Sequence, residues 1–151
     1  MKPFLDIVTT ICIGLMIGTE FAVSAFVNPI LRQLSGSAEA QATRLFARRL
    51  GKVMPFWYGL SLVLLIVETF VRRQHAGVSL LSAASAIWAG VIALTVLLLV
   101  PINNRIATMN SDAFTESVRR EQAKWELLHR WRIFALGVAM TSFLVGIRLS
   151  R

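Results

Sequence analysis

The sequence predicts an all-α, polytopic membrane protein, a four-transmembrane-helix bundle with two amphipathic connecting helices. Three observations lead there. Hydrophobic residues make up 56% of the 151-residue chain, and its mean hydropathy of +0.65 exceeds what a soluble domain of this size can hide. The apolar residues gather into four runs, roughly Phe4 to Ile30, Met54 to Val71, Leu80 to Val100 and Ile133 to Ile147, where about 20 apolar residues cross a bilayer as helix. None of the runs alternates apolar and polar residues as a transmembrane barrel strand does. The chain therefore reads as a single membrane domain, 1–151, with helices over 4–31, 54–72, 79–100 and 131–148 and amphipathic segments over 38–51 and 112–130.

The first run begins like a secretory signal, with Lys2, an apolar stretch from Ile7 and small residues at Val23-Ser24-Ala25. Glu20 interrupts the approach to that site, so the segment is expected to remain as the first transmembrane helix. Gly14-x-x-x-Gly18 has the spacing of a close helix contact, although small residues are common in membrane spans generally. Cys12 is the only cysteine, which excludes an intramolecular disulfide and a cysteine metal cage. Asn28-Pro29 closes the run.

Leu34-Ser35-Gly36-Ser37 supplies a helix stop and a serine cap, after which Ala38 to Leu50 reads as a helix. Leu45, Phe46 and Leu50 give it an apolar stripe, with Arg44, Arg48, Arg49 and Lys52 over much of the remainder, a pattern suited to a headgroup boundary. In the second run Glu68 stands one turn from Arg72, which predicts a salt bridge at the opposite boundary. The third run closes on Pro101-Ile102-Asn103-Asn104. The segment that follows is charged, with Glu116/Arg120 and Glu126/Arg130 at helical i,i+4 spacing on a solvated face. Trp125, Leu128, His129 and Arg132 share another side of that helix. Trp125 and Trp131 also suit interfacial anchoring.

The two halves follow one plan: an apolar helix ending in a proline motif, a polar segment, then a second apolar helix. Gln41-Ala42 and Gln122-Ala123 recur at an offset of 81 residues, as in a parallel repeat, though two amphipathic helices can match this far by chance. The net charge of +8 does not imply nucleic acid, because Lys and Arg are spread over the ends of every apolar run. The two long connections hold 11 of the 16 Lys and Arg, which by the positive-inside rule puts them in the cytoplasm. The remaining 5 sit in very short segments, and the orientation stays open.

Polar residues inside hydrocarbon carry the most information, since an ionisable group there costs at least about 2.5 to 3.5 kcal/mol. Glu20, Ser24 and Asn28 are spaced by four and form a polar stripe expected to face the bundle interior. Glu20 needs a compensating cation, or it makes a helix-to-helix hydrogen bond as a neutral acid. Asn28, the Pro101 to Asn104 stretch and the Trp125/His129 pair belong at one membrane boundary, and any ligand site is expected where they converge.

Phe21 to Pro29, Val100-Pro101-Ile102-Asn103-Asn104 and Trp125-x-x-x-His129-x-x-Arg132 resemble the anthrone oxygenase family of small four-helix membrane proteins. Pro-x-Asn followed about twenty residues later by Trp-x-x-x-His is the most specific part of the match. The resemblance implies addition of molecular oxygen to an anthrone, giving an anthraquinone, and it implies the fold more firmly than the reaction. It carries over Asn28, Pro101, Asn103, Trp125 and His129, with Asn104 and Arg132 as neighbours; Glu20 and Ser24 rest on the residue reading alone.

The implied chemistry needs a base for an acidic methylene, donors for an oxyanion and a flat apolar pocket. His129 is the candidate base, Asn28 and Asn103 offer amide donors, and Trp125 offers a stacking face and an indole N–H. Glu20, Ser24, Asn104 and Arg132 are candidate substrate-binding residues. Structural readings stand beside these: His129 as a packing histidine, and Asn103 as a cap for backbone groups left open by Pro101.

No metal and no cofactor is expected, with haem on His129 as a minor alternative. His75 and His129 fall on opposite sides of the membrane, and His129 with Glu20 or Asp112 makes a poor ligand set. Expected partners are the lipid bilayer and a hydrophobic small molecule, with no nucleic acid and with oligomerisation open. The same residues also fit a small transporter or a quinone- or lipid-like ligand-binding protein with Glu20 as a proton-linked group, or a structural membrane subunit.

Overall fold

Hydrocarbon offers no partner for backbone N–H and C=O groups, so a chain with these apolar runs must close its hydrogen bonds within helices. The computed structural model, which describes residues 2–34, 36–108 and 116–150, is helical almost throughout. Its elements are α1 (Lys2–Ala22), a π-helical turn (Val23–Val27), α2 (Asn28–Leu31), α3 (Gly36–Val71), α4 (Val78–Leu94), a second π-helical turn (Thr95–Leu99), α5 (Val100–Thr108) and α6 (Glu116–Leu149). No strand occurs among the described residues. They make four continuous rods, Lys2–Leu31, Gly36–Val71, Val78–Thr108 and Glu116–Leu149, each long and apolar enough to cross a membrane. The protein is an all-α, multi-pass integral membrane bundle.

The first amphipathic segment, 38–51, and the described part of the second, 116–130, are not separate connectors, as the sequence suggests, but the first halves of α3 and α6. Proline is disfavoured in a helix interior, yet α3 runs through Pro55. A break at that depth would strand several backbone groups, whereas Pro55 removes only the bond to the Gly51 carbonyl. Among the described residues α6 likewise runs unbroken from Glu116 into the fourth apolar run. Ser35 and Asp112 lie outside the described residues; α3 starts at Gly36, whose φ of +56° lies in the left-handed region that glycine enters at little cost.

The two π turns share one cause. In a regular helix the ring of Pro29 or Pro101 would strike the carbonyl four residues back. Here the N–H of Asn28 reaches back to the Val23 carbonyl and that of Val100 to the Thr95 carbonyl, five residues away, and each proline follows on the widened turn. The second half thus repeats the first, a rod with a π turn ahead of its proline and then a long uninterrupted helix.

Ile13, Met16, Tyr58, Leu65, Leu81, Trp88, Leu136 and Phe143 form the core between the rods. The outer surface is as apolar as the inside: Phe56 is 82% and Leu97 71% exposed, and such a surface suits lipid contact. At the end holding the α3–α4 turn, Gly77 and Gly146 let α4 and α6 touch backbone to backbone; a Cβ on Gly77 would fall 2.0 Å from the Gly146 carbonyl oxygen. The same end buries Arg72 between Glu68 and Asp6, pairing with both. The Glu68–Arg72 bridge is as expected, and Asp6 is an addition to it. At the other end Glu116 pairs with Arg120, while Glu126 turns from its neighbour Arg130 to Arg32, just past the end of the first rod, at 2.9 Å.

Candidate functional site

Glu20 lies near the end of α1, three residues ahead of the first π turn, and is buried. A carboxylate there needs a cation, and Arg132 of α6 supplies it, donating from Nη2 to Glu20 Oε2. The other carboxylate oxygen, Oε1, accepts the Tyr58 hydroxyl of α3 at 2.8 Å. Arg132 Nη1 also donates to Thr95 Oγ1 at 3.3 Å, so the second π turn helps hold the guanidinium, which stands 5.6 Å from the centre of the Tyr58 ring. The Glu20–Arg132 pair is closed on itself in charge, which is how it survives burial.

His129 completes the cluster, and its hydrogen bonds fix its state. Nε2 faces the backbone carbonyl oxygen of Glu20 at 3.1 Å, an acceptor, so Nε2 carries the proton. Nδ1 lies 2.8 Å from Arg132 Nη2, a donor, so Nδ1 offers its lone pair. Nδ1 also lies 3.3 Å from Glu20 Oε2; assigned from its two nearer neighbours, His129 is a neutral imidazole with both nitrogens engaged. Trp125, one helical turn earlier, stacks on the imidazole with ring centres 4.7 Å apart and planes 14° from parallel.

This cluster forms the polar wall of a cavity of about 280 Å³ enclosed by all four rods, close to the lower end of the roughly 300 to 1,000 Å³ usual for small-molecule pockets. Six of the eight residues singled out in the sequence line it: Glu20, Asn103, Asn104, Trp125, His129 and Arg132. The rest of the wall is largely aliphatic, from Val23, Leu50, Met54, Ile92, Val96 and Leu99. Asn103 is held by a 3.3 Å bond from Nδ2 to the Ala47 carbonyl, beside Gly51.

Asn28 and Ser24 do not line this cavity. Asn28 faces a neighbouring void of about 40 Å³, shared with Thr43, Gln122 and Trp125, and Ser24 is half-buried outside both. The polar stripe of the first helix is therefore shared between two spaces, with Glu20 on the larger and Asn28 on the smaller.

Sequence reasoning missed Tyr58 and Thr95. Tyr58 is the only tyrosine, set inside an apolar run where its hydroxyl requires a partner, and that is the signal that points to it. Thr95 gave no such signal, because a helix threonine can satisfy itself on its own backbone, as Thr95 also does with the Val91 carbonyl at 2.7 Å. Among the described residues no three His, Cys, Asp or Glu side chains come together as a metal site. A haem on His129 would have to displace either Arg132 or the Glu20 carbonyl.

Residues 42–142 match the family profile described as Anthrone oxygenase. The chain belongs to the anthrone oxygenase family. In this family member the match takes in Tyr58, Asn103, Asn104, Trp125, His129 and Arg132, while Glu20, Ser24 and Asn28 precede it. No curated protein and no solved structure matches the chain. Family and bundle together fit a membrane protein that acts on a small apolar molecule.

Proposed function

We propose that this anthrone oxygenase family member is a membrane-embedded oxygenase that takes a flat aromatic ketone of the anthrone type into the cavity and oxidises its methylene with O2. The observation that supports this reading is the cavity itself, aliphatic on most sides and bearing one buried, charge-neutral ion pair on its polar wall.

The bookkeeping is anthrone plus O2 giving anthraquinone plus water. Loss of a methylene proton gives an anion delocalised onto the ketone oxygen; the carbanion carbon forms a C–O bond with O2, the peroxide takes a proton, and elimination of water leaves the quinone. His129 was the base expected from the sequence, but both its nitrogens are engaged. Glu20 is the better acceptor for that proton, with His129 a positioning residue.

The ion pair favours this step. As Glu20 becomes neutral, the substrate oxyanion replaces it as counterion of Arg132, so no net charge is created in a low-dielectric site. Arg132 lines the cavity and is the cation that the oxyanion meets. Trp125 and the aliphatic wall hold the ring system.

The test is oxygen uptake by the purified protein in micelles on addition of anthrone. Saturable uptake of one O2 per anthraquinone formed is expected. Uptake no faster than in protein-free micelles overturns the reading.

A further inference from the structure

A site that oxidises so apolar a molecule must be reached from somewhere. Pro55, Val96 and Val100 line the cavity and are also exposed on the outside of the bundle, so the cavity opens between α3 and the rod formed by α4 and α5. On the α3 side its wall is built of Gly51, Pro55 and Gly59, spaced by four and therefore on one face of the helix. A Cβ at Gly59 would meet nothing within 4 Å, and space there is open. The outer surface beside the opening is apolar, with Val53, Phe56 and Leu97 exposed. Pro55, Phe56, Gly59, Val96 and Leu97 lie inside the second and third apolar runs, while Gly51 and Val53 just precede the second, so the opening runs from the headgroup boundary into the acyl region.

The cavity behind the opening is built for a ligand with one polar end. Arg132 and Trp125 line it on one side, and the rest of the wall is largely aliphatic. A carbonyl oxygen suits the guanidinium side, and an aliphatic or aromatic body would fill the remainder.

We propose that the gap between α3 and α4/α5 is a lateral portal through which a flat, apolar carbonyl compound dissolved in the bilayer enters and leaves the cavity. This rests on reading the cavity as the substrate site and adds the source of the substrate, the acyl region of the membrane rather than the aqueous phase. Gly59 keeps the path open at the level of the substrate rings, and Val96 and Val100 form its other jamb.

The experiment uses the full chain in phosphatidylcholine vesicles preloaded with anthraquinone, a flat dicarbonyl that does not turn over. Its binding is followed as quenching of tryptophan emission after rapid mixing. Gly59→Leu narrows the portal without a clash in the core and improves helix propensity. A gate alters entry and exit alike, so association and dissociation rates are both expected to fall about tenfold while Kd stays within twofold. Gly90→Leu, on an exposed α4 position away from the cavity with equal room for a side chain, is expected to leave both rates unchanged. Gly59→Leu with unaltered rates, or with a weakened Kd and an unchanged association rate, overturns the portal and leaves the substrate site standing. Absence of saturable quenching in the wild-type protein overturns the substrate site and the portal with it.

Discussion

Replacing Glu20 by Gln isolates the charge at the centre of the site. Gln keeps an oxygen to accept the Tyr58 hydroxyl, now at 2.8 Å, and keeps the side-chain volume. What it removes is the counterion of Arg132. The guanidinium is then left with two neutral acceptors, His129 Nδ1 at 2.8 Å and Thr95 Oγ1 at 3.3 Å, in a position only 7% exposed. Removing one partner of a buried ion pair costs about 3 to 5 kcal/mol, several times the effect of an ordinary surface substitution. Unfolding of the purified protein by SDS in mixed micelles, followed by circular dichroism, measures that loss. Removing both charges, as in Glu20→Gln with Arg132→Met, eliminates the stranded cation and is expected to recover most of it. A Glu20→Gln protein within about 0.5 kcal/mol of wild type, or a double variant whose loss is the plain sum of the single losses, would refute a buried, mutually neutralising pair.

Further outcomes follow from the same contacts. Tyr58→Phe deletes one hydrogen bond to a carboxylate while leaving Arg132 in place, so its loss in the same SDS titration should be smaller, about 1.5 to 3 kcal/mol. His129→Ala should slow anthrone turnover only about tenfold, the equivalent of one neutral hydrogen bond of about 1.4 kcal/mol; a loss as large as that of Glu20→Gln would return the base to His129. Gly77→Ala drives a methyl group into the Gly146 backbone and should destabilise the bundle by about 1 to 3 kcal/mol or more, and a protein as stable as wild type would contradict the close approach of α4 and α6. Arg72→Met leaves Asp6 and Glu68 as two buried carboxylates without a cation and is expected to cost about 3 to 5 kcal/mol, read out in the same denaturation assay.

The architecture was legible because hydrophobic runs of membrane length have few other uses, and the four rods correspond to the four runs. Their continuity was not. The charged face of 38–51 argued for a separate amphipathic helix, and only the cost of stranding backbone groups between it and the next run argues the other way. Glu20 and Arg132 each stood out, one as a charge inside an apolar run and the other beside a Trp/His motif. Their pairing was hidden because 112 residues separate them and no local pattern reports a tertiary ion pair. Of the motif residues, Asn103, Asn104, Trp125, His129 and Arg132 line one cavity, while Asn28 borders a smaller void and Ser24 neither. His129 shows the limit most plainly: its residue type suggested a base, and the atoms facing its two nitrogens, which no sequence spacing encodes, point to positioning.

The most direct test of the proposed chemistry is mass analysis of the product formed from anthrone under ¹⁸O2 by wild-type protein and by Glu20→Gln. The expected result is anthraquinone with a single ¹⁸O at the former methylene carbon, formed at a rate that falls about 10² to 10⁴-fold in the variant, the usual contribution of a general base. Quinone formed at the same rate by both proteins, or at the rate of the protein-free reaction, would contradict an oxygenation site built on the Glu20–Arg132 pair.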